Sequence, residues 1–290
     1  MKLLLTSLIL LTTTLTIFSQ TDTTKTEKPD TIRVGGMIII NKKNGKDSTT
    51  IENKNGKKDN WTISINGRSK KKNRLTTSWF NFDLGFANYD DQSMYTSAAT
   101  KDYARATRTG EADFTDSDLR LKTGKSINFN LWIVRQSYGI TRDSKFQAKW
   151  GVMLESNNYR YDNNVSYNNE NRPFVFRDSI SFRKNKLAAD YLTIPLMLGF
   201  SSNPHSKKGF EVSAGISVGY LYSSRNKQIS EAREKEKNRG NFDLEPFKFQ
   251  YIAEIGMGAL KLYGSYAPQS IYKRGLDIRP FNVGFRFGNW

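Results

Sequence analysis

Two short motifs in the sequence contain residue types that bind nucleotides in other proteins. Residues 122–126, KTGKS, are similar to the end of a phosphate-binding loop, and residues 256–261, GMGALK, begin like a dinucleotide fingerprint. The first motif has Leu119 where the loop needs glycine, and it precedes the strand-like INFNLW instead of a helix. The second lacks its third glycine and a βαβ setting. Neither motif predicts nucleotide chemistry, and GMGALK is interpreted as a turn.

The titratable residues do not form a recognisable catalytic or metal-binding set. Cysteine is absent, which excludes disulfides, thiolate zinc sites and cysteine nucleophiles. His205, the only histidine, is predicted in a short turn on the side away from the long loops, where it could not serve a loop-side hydrolase. Carboxylates cluster at 90–91 and 111–118 and could hold calcium weakly, but they lack an EF-hand glycine pattern, and solvated loops are preferred. We therefore expect a non-enzymatic protein with no catalytic residues, no cofactor and no metal site.

The first nineteen residues have the layout of a secretory signal. Lys2 precedes an apolar, threonine-rich run, and Ser19 is a small residue at a plausible cleavage point. No later segment approaches the ~18 continuous apolar residues of a membrane helix. We predict a signal peptide at 1–19 and an exported mature chain.

Residues 20–75 form a polar, basic lead. Residues 41–74 hold eleven Lys or Arg against three acidic residues, a local excess of eight (11 − 3), within a chain of formal charge +17. Inside the lead, TIRVGGMIII and WTISING could form short strands, and we expect the segment to be partly disordered. Because an exported chain rarely meets nucleic acid, anionic lipid headgroups or an envelope polymer are the expected counter-charges.

From residue 76 onward, apolar residues recur at every second position in eight segments, a pattern that indicates β-strands. The segments are TTSWFNFDLGFANY, KSINFNLWIV, KFQAKWGVMLES, YLTIPLMLGF, GFEVSAGISVGYLY, PFKFQYIAEIGM, ALKLYGSYA and PFNVGFRFGNW. Most match the ~9–11 residues of a tilted membrane strand. Pro195 is the weakest point of this assignment, because proline requires a bulge or a missing hydrogen bond in a strand.

The connectors alternate in length. Long connectors (89–124, 159–186 and 223–246) follow the first, third and fifth segments, and short ones (GITRDSK, SSNPHSKKG and GMG) follow the second, fourth and sixth. An even strand number with long loops on one side and tight turns on the other is typical of outer-membrane barrels. The sequence therefore predicts an all-β fold, an eight-stranded antiparallel up-and-down transmembrane β-barrel over 76–290.

The two faces of these strands differ in composition. One is almost purely apolar, and the other carries a few charged residues among Gly, Ser and Asn. The charged positions are Asp83, Lys149, Glu211, Glu254 and Arg286. In a soluble, lipocalin-like barrel the apolar face would line an internal pocket and the outer face would be highly charged. The sparse charge favours the opposite orientation, with the apolar face outward in lipid and a lumen filled by side chains.

These residues resemble the small PorT-like outer-membrane β-barrel family of Gram-negative bacteria. The resemblance covers about residues 76–290 and depends on WFNFDLGFANY, LESNNYRY, NKLAADYLTIPLMLGF, SAGISVGYLY and GLDIRPFNVGFRFGNW. It implies an eight-stranded barrel in the cell outer membrane, and some relatives are associated with secretion or gliding machinery. One departure is Trp290, which is out of phase with Phe285 and Phe287 unless a bulge at Gly288 corrects it.

Two functions remain open from the sequence. One is a non-enzymatic outer-membrane protein whose outer loops bind a partner or ligand, or which supports an envelope complex; the other is a narrow solute channel, suggested by the glycines of GFEVSAGISVGYLY. The expected partners are outer-membrane lipid, the barrel-assembly machinery and envelope proteins, but no nucleic acid. The lead is expected in the periplasm.

Two segments of the long connectors carry further expectations. Residues 231–240 are expected to be a mobile loop. Tyr159 and Tyr161 are expected to be either a contact surface or interfacial anchors at the rim.

Overall fold

The computed structural model describes residues 31–34, 37–40, 50–53, 74–204, 209–258 and 260–288. The chain forms two compact units, Met1–Lys72 and Asn73–Trp290. In the first unit, β1 (Thr31–Val34), β2 (Met37–Ile40) and β3 (Thr50–Asn53) form a three-stranded antiparallel sheet. A hairpin is thus present within TIRVGGMIII, whereas the predicted signal peptide and WTISING lie outside the described residues. The predicted domain boundaries stay predictions.

The second unit consists mainly of long antiparallel strands. Its strands are β4 (Leu75–Asp91), β5 (Ala104–Arg105), β6 (Ile127–Gly139), β7 (Phe146–Arg160), β8 (Val165–Asn168), β9 (Phe174–Arg177), β10 (Lys184–Ser201), β11 (Phe210–Ile229), β12 (Lys235–Arg239), β13 (Phe247–Met257), β14 (Leu260–Tyr266) and β15 (Ile278–Phe287). Each of the eight predicted segments coincides with one long strand of this set.

Eight of these strands close into a ring. In sequence order β4, β6, β7, β10, β11, β13, β14 and β15 each pair antiparallel with the next, and β15 pairs back onto β4. The closing register runs from Ile278↔Asp91 to Phe287↔Phe82. An up-and-down ring leaves no free strand edge within the barrel, and the predicted eight-stranded barrel is confirmed.

The apolar face of the strands points outward, as predicted. Leu196 is 56% exposed, Ile216 52% and Val283 48%, whereas the residues that alternate with them, such as Ser217, are buried in the lumen. In water such a belt of large apolar side chains would be unfavourable, because each one would forgo about 1.5–3 kcal/mol of burial. A bilayer removes this penalty.

Local irregularities adjust the alternation in two strands. The register of β6 against β7 shifts between Trp132 and Val134, so that Ile133 forms a bulge and both Trp132 and Arg135 point into the lumen. In β10, Pro195 pairs with Ser217 of β11, but toward β7 the pairing is interrupted between Thr193 and Leu196. The proline therefore occupies a position where hydrogen bonds to one neighbour are missing, as its chemistry requires.

The long connectors are folded. They contain a short helix at Ala98–Tyr103, 3-10 turns at Asp116–Leu119 and Thr123–Lys125, and a small sheet of β5, β9 and β8. The segment 231–240, predicted to be a mobile loop, contains a strand, because β12 pairs with the end of β11 and extends this hairpin. Its side chains are largely exposed, as its composition suggested. None of the described helices has the length and apolarity needed to cross a bilayer.

The outward apolar belt leads to a prediction for β10. Leu196 lies midway along the belt of this strand, between Leu192 and Phe200. Leu196→Arg is expected to lower the free energy of unfolding in lipid vesicles by about 2–4 kcal/mol, because it places a charge at the bilayer midplane. Ile229→Arg also points outward but lies beyond the belt, and its cost is expected to be below about 1 kcal/mol. Equal costs for the two variants, measured by denaturant titration, would contradict this orientation.

Candidate functional site

The long connectors meet in one hydrophobic core above the barrel, which we call the cap. Buried residues from the four long connectors, at 92–126, 161–183, 230–246 and 267–277, and from the adjoining strand ends pack together there. The cap core comprises Ala87, Tyr103, Ala104, Phe114, Leu119, Leu121, Tyr159, Tyr161, Val165, Tyr167, Val175, Leu187, Ala189, Tyr191, Phe242, Leu244, Ile271, Tyr272, Leu276 and Ile278. Because the connectors share this core, they form one folded unit that closes the end of the barrel.

Tyrosines dominate the centre of the cap. The hydroxyl of Tyr167 forms hydrogen bonds with those of Tyr161 and, at 2.8 Å, Tyr272, and Tyr103 donates to the carbonyl of Phe242 at 2.6 Å. Burial raises the pKa of Tyr103, Tyr167 and Tyr272 well above the usual value. These hydroxyls therefore stay protonated and can donate at any physiological pH.

The structure contradicts both predicted roles of Tyr159 and Tyr161. Tyr159 and Tyr161 are almost fully buried in its core, so they are neither an exposed contact surface nor aromatic anchors at the rim. The β7–β10 hairpin extends to the level of these residues, since Lys186 pairs with Arg160. The alternation of Tyr159 with polar residues is the same whether the strand faces lipid or a cap, and the sequence alone could not distinguish these environments.

Arg177 binds several groups of the 111–118 segment of the cap. Its guanidinium donates to both carboxylate oxygens of Asp118, at 2.6 and 2.7 Å, and to the carbonyls of Ala112 and Asp113. It also stacks over the ring of Phe114, 4.5 Å from the centroid. Burial raises the pKa of Asp118, but the hydrogen bond and charge of Arg177, together with hydrogen bonds from Thr115, outweigh burial and lower this pKa overall.

Glu111 is held in the same connector. A hydrogen bond from Arg108 lowers the pKa of Glu111 to about 2. Because this value lies below the ordinary 4.5, the stabilisation is complete above pH 4.5 and is lost as the pH falls toward 2. Of the carboxylates at 111–118 that were considered as calcium ligands, Glu111 and Asp118 are bound by arginines and Asp113 by Lys101. The described residues contain no cluster of three or more potential metal ligands.

Below the cap, the lumen contains a buried charge network centred on Glu254 and Arg286. Arg286 forms a bidentate pair with Asp83, at 2.7 and 2.8 Å, and a third contact with Glu254. Glu254 also accepts from Arg135 and from Lys149. Three cations therefore converge on one carboxylate that is 2% exposed.

Two further groups complete the network. Lys149 and Lys261 both bind Glu211, the latter at 2.6 Å. Lys248 donates to Glu155 at 2.6 Å, and Thr193 donates to the other oxygen of Glu155 at 3.0 Å. Every charged residue predicted to face inward is part of this network, and so is Glu155, which the alternation places on the polar face of its strand. The sequence analysis did not single out Arg135, Lys248 or Lys261.

The inward-facing glycines make room for these side chains. A Cβ on Gly199 would lie 3.2 Å from the ammonium nitrogen of Lys149, and one on Gly219 would lie 3.3 Å from the Cβ of Tyr191. An internal void beside Trp132 and Gln250 has a volume of about 20 Å³, enough for about one water molecule. The lumen is therefore packed, and the glycine-rich face of β11 lies against neighbouring residues of β10.

The remaining candidates from the sequence have simple structural roles. KTGKS lies in a 3-10 turn, Thr123–Lys125, that leads into β6, and GMGALK joins β13 to β14 through Gly258 at a φ of 65°. Asp91 accepts a hydrogen bond from Tyr95 at 2.5 Å, and Asp90 accepts one from Gln92. His205 and Trp290 lie outside the described residues.

The lumen network predicts a large cost for removing its central anion. Glu254→Gln is expected to destabilise the protein by about 3–5 kcal/mol, because Arg135 and Arg286 then lose a buried counter-charge. Glu236→Gln, on the exposed face of β12, is the matched control and is expected to change the free energy of unfolding by less than about 0.5 kcal/mol. Urea titration in lipid vesicles measures both. A cost below 1 kcal/mol for Glu254→Gln would show that the network does not contribute as described.

The Arg177 contacts predict a local effect within the cap. Arg177→Gln is expected to release the 111–118 connector and expose Phe114, which is now buried. Limited chymotrypsin digestion should then cut after Phe114 at least several times faster than in the wild-type protein, while the barrel stays folded. Arg172→Gln removes an exposed ion pair with Asp102 and serves as control. If both variants are cut at the wild-type rate, Arg177 does not hold this connector.

Comparison with known proteins gives a family match. The family described as outer membrane protein beta-barrel domain matches residues 115–288. No curated protein matches the sequence. Solved structures that match include Ail, the attachment invasion locus protein of Yersinia pestis, in complex with the heparin analogue sucrose octasulfate. Ail is 12% identical, with a TM-score of 0.25 over 72% of this chain and 97% of that chain. The family match spans more than half of the chain, from the cap to the end of β15, and the protein belongs to the outer membrane protein beta-barrel domain family.

Proposed function

We propose that this protein is a non-enzymatic outer-membrane protein that presents its cap outside the cell as a binding surface for an envelope protein. A supporting role in an envelope complex, such as secretion or gliding machinery, follows from the PorT-like resemblance. The observation that carries the proposal is the common core of the four long connectors. A surface that is already ordered loses little conformational entropy on binding, which favours a specific partner.

The orientation follows from the class of barrel. Outer-membrane barrels have short turns in the periplasm and long loops outside, so the cap faces the exterior. In the described barrel, β4 begins and β15 ends at the short-turn side, where Leu75 pairs with Tyr138 and Leu260 pairs with Phe287. This supports a periplasmic position for the basic lead. Outer-membrane lipid around the belt and the barrel-assembly machinery are the further partners that we propose.

A narrow solute channel is the second candidate, because glycines line the inner face of β11. The packing argues against it, since Tyr191 covers Gly219 and the ion pairs of Glu254 cross the lumen. Planar-bilayer recordings of purified protein decide between the two functions. We expect no discrete conductance steps, and regular steps that persist after removal of contaminating porins would favour the channel.

Site-specific photo-crosslinking in whole cells tests the binding role. A photoreactive residue at Glu170 or Lys273, both exposed on the cap, is expected to give a discrete protein adduct. The same residue at Ile216, which faces lipid, is the control and is expected to give no such band. Adducts at neither cap position, or equal adducts at all three positions, would contradict a partner-binding cap.

A further inference from the structure

A set of basic residues covers one sector of the outer wall between the apolar belt and the cap. It extends over four neighbouring strands, in the order β7, β10, β11 and β12. This basic wall consists of Arg160, Lys184, Lys186, Arg225, Lys227, Lys235, Lys237 and Arg239. Nothing in the lumen network or the cap core uses these side chains.

The strand register places all of them on one face. Arg160 pairs with Lys186, Lys186 with Lys227, and Lys227 with Lys237, so that four cations lie in one row. Arg225 pairs with Arg239 in the next row. Paired residues of an antiparallel sheet share a face, and like charges directly opposite each other are destabilising. The arrangement is therefore unfavourable in the isolated protein and would be relieved by an anionic ligand.

The opposite face of the same strands is buried, which shows that the basic face points outward. Asn226 and Gln228 alternate with Arg225 and Lys227 in β11, and both are buried. Asn226 donates to Asn185, and Gln228 donates to Ser166 at 2.7 Å. The cations cannot turn inward without disrupting these contacts.

Protein carboxylates compensate little of this charge. Arg225 forms an ion pair with Asp190. In the part of the chain that the structure describes, the other seven basic residues have no carboxylate within ion-pair distance. Lys186 donates instead to the amide oxygen of Asn158, and Arg160 to the carbonyl of Arg183 at 2.9 Å.

The lower edge of the basic wall, at Arg225, lies at the height of the lipid headgroups. Tyr220 and Tyr222 are exposed at the upper end of the apolar belt on β11, where tyrosines of membrane proteins mark the interface. Arg225 lies three residues beyond Tyr222, about 10 Å along the strand. The polar headgroup layer on each side of a bilayer is about 5–8 Å thick, and a tilted strand rises less than its own length.

We propose that the basic wall binds the phosphate groups of a phosphorylated glycolipid in the outer leaflet. Lysine and arginine are the usual ligands of phosphate headgroups, and each one near an anionic surface adds binding energy. The wall faces sideways and continues the lipid-facing surface below it, which favours a lipid over a soluble polyanion approaching from above. This inference depends on the outer-membrane location and not on the partner-binding role of the cap.

Binding of diphosphoryl lipid A to the purified full-length protein in zwitterionic detergent tests the proposal. Lys186→Glu combined with Lys227→Glu reverses two central charges of the wall. Arg142→Glu combined with Lys273→Glu makes the same charge change at exposed positions outside the wall. Lys186→Gln combined with Lys227→Gln is a milder wall variant, used if the Glu double variant does not fold. Folding of each variant is measured by the change in gel migration that heating causes in a folded barrel.

Wild-type and control proteins are expected to bind diphosphoryl lipid A with equal affinity that falls with added salt, and to bind dephosphorylated lipid A at least about tenfold more weakly. The wall variant is expected to lose about tenfold or more in affinity for the diphosphoryl form, and the Gln variant a smaller part of it. The proposal is overturned if wall and control variants bind lipid A equally. It is also overturned if only soluble heparin, and no lipid A, binds through the wall.

Discussion

The structure depends on the closure of its backbone hydrogen bonds. In a bilayer no water can satisfy an exposed N–H or C=O group, so a sheet persists there only as a closed barrel. The pairing of β15 with β4 supplies this closure. Once the ring is closed, lipid solvates the outer face and the lumen is left to side chains. Apolar residues such as Phe82 and Leu196 are therefore outside, and Asp83 and Glu254 inside.

The interior consists of two regions whose buried side chains are stabilised by different interactions. The lumen is too narrow for bulk water, so its charges are matched by opposite charges, as Arg286 is by Asp83 and Glu254. The cap lies beyond the belt and folds around an apolar core like a small soluble protein, with tyrosine hydroxyls bonded to one another. The ion pairs of the lumen hold the barrel strands together, and the core of the cap holds the long connectors in one ordered surface.

The sequence predicted the strands, their lipid face and the closed ring, because period-two alternation and connector length reflect local geometry and the bilayer. It missed the cap. Tyr159 alternates as a barrel residue does, and only the packing of distant connectors reveals that it is buried in a core. It also missed the partners within the lumen: Arg286 and Asp83 are 203 residues apart in the chain and meet only through ring closure. The bulge at Ile133 turns Arg135 inward. It could not be predicted from the alternation of apolar residues, because a bulge interrupts that alternation without a characteristic residue pattern.

Site-directed spin labelling of β11 tests the account most directly, and the absence of cysteine from the chain makes single labelling sites simple to introduce. In lipid vesicles, labels at Val212 and Ile216 should be accessible to oxygen dissolved in the bilayer and protected from a water-soluble relaxation agent. A label at Ser213 should be protected from both, and one at Lys227 should be accessible from water. Accessibility of Val212 and Ile216 to the water-soluble agent in folded protein would contradict the lipid-facing barrel.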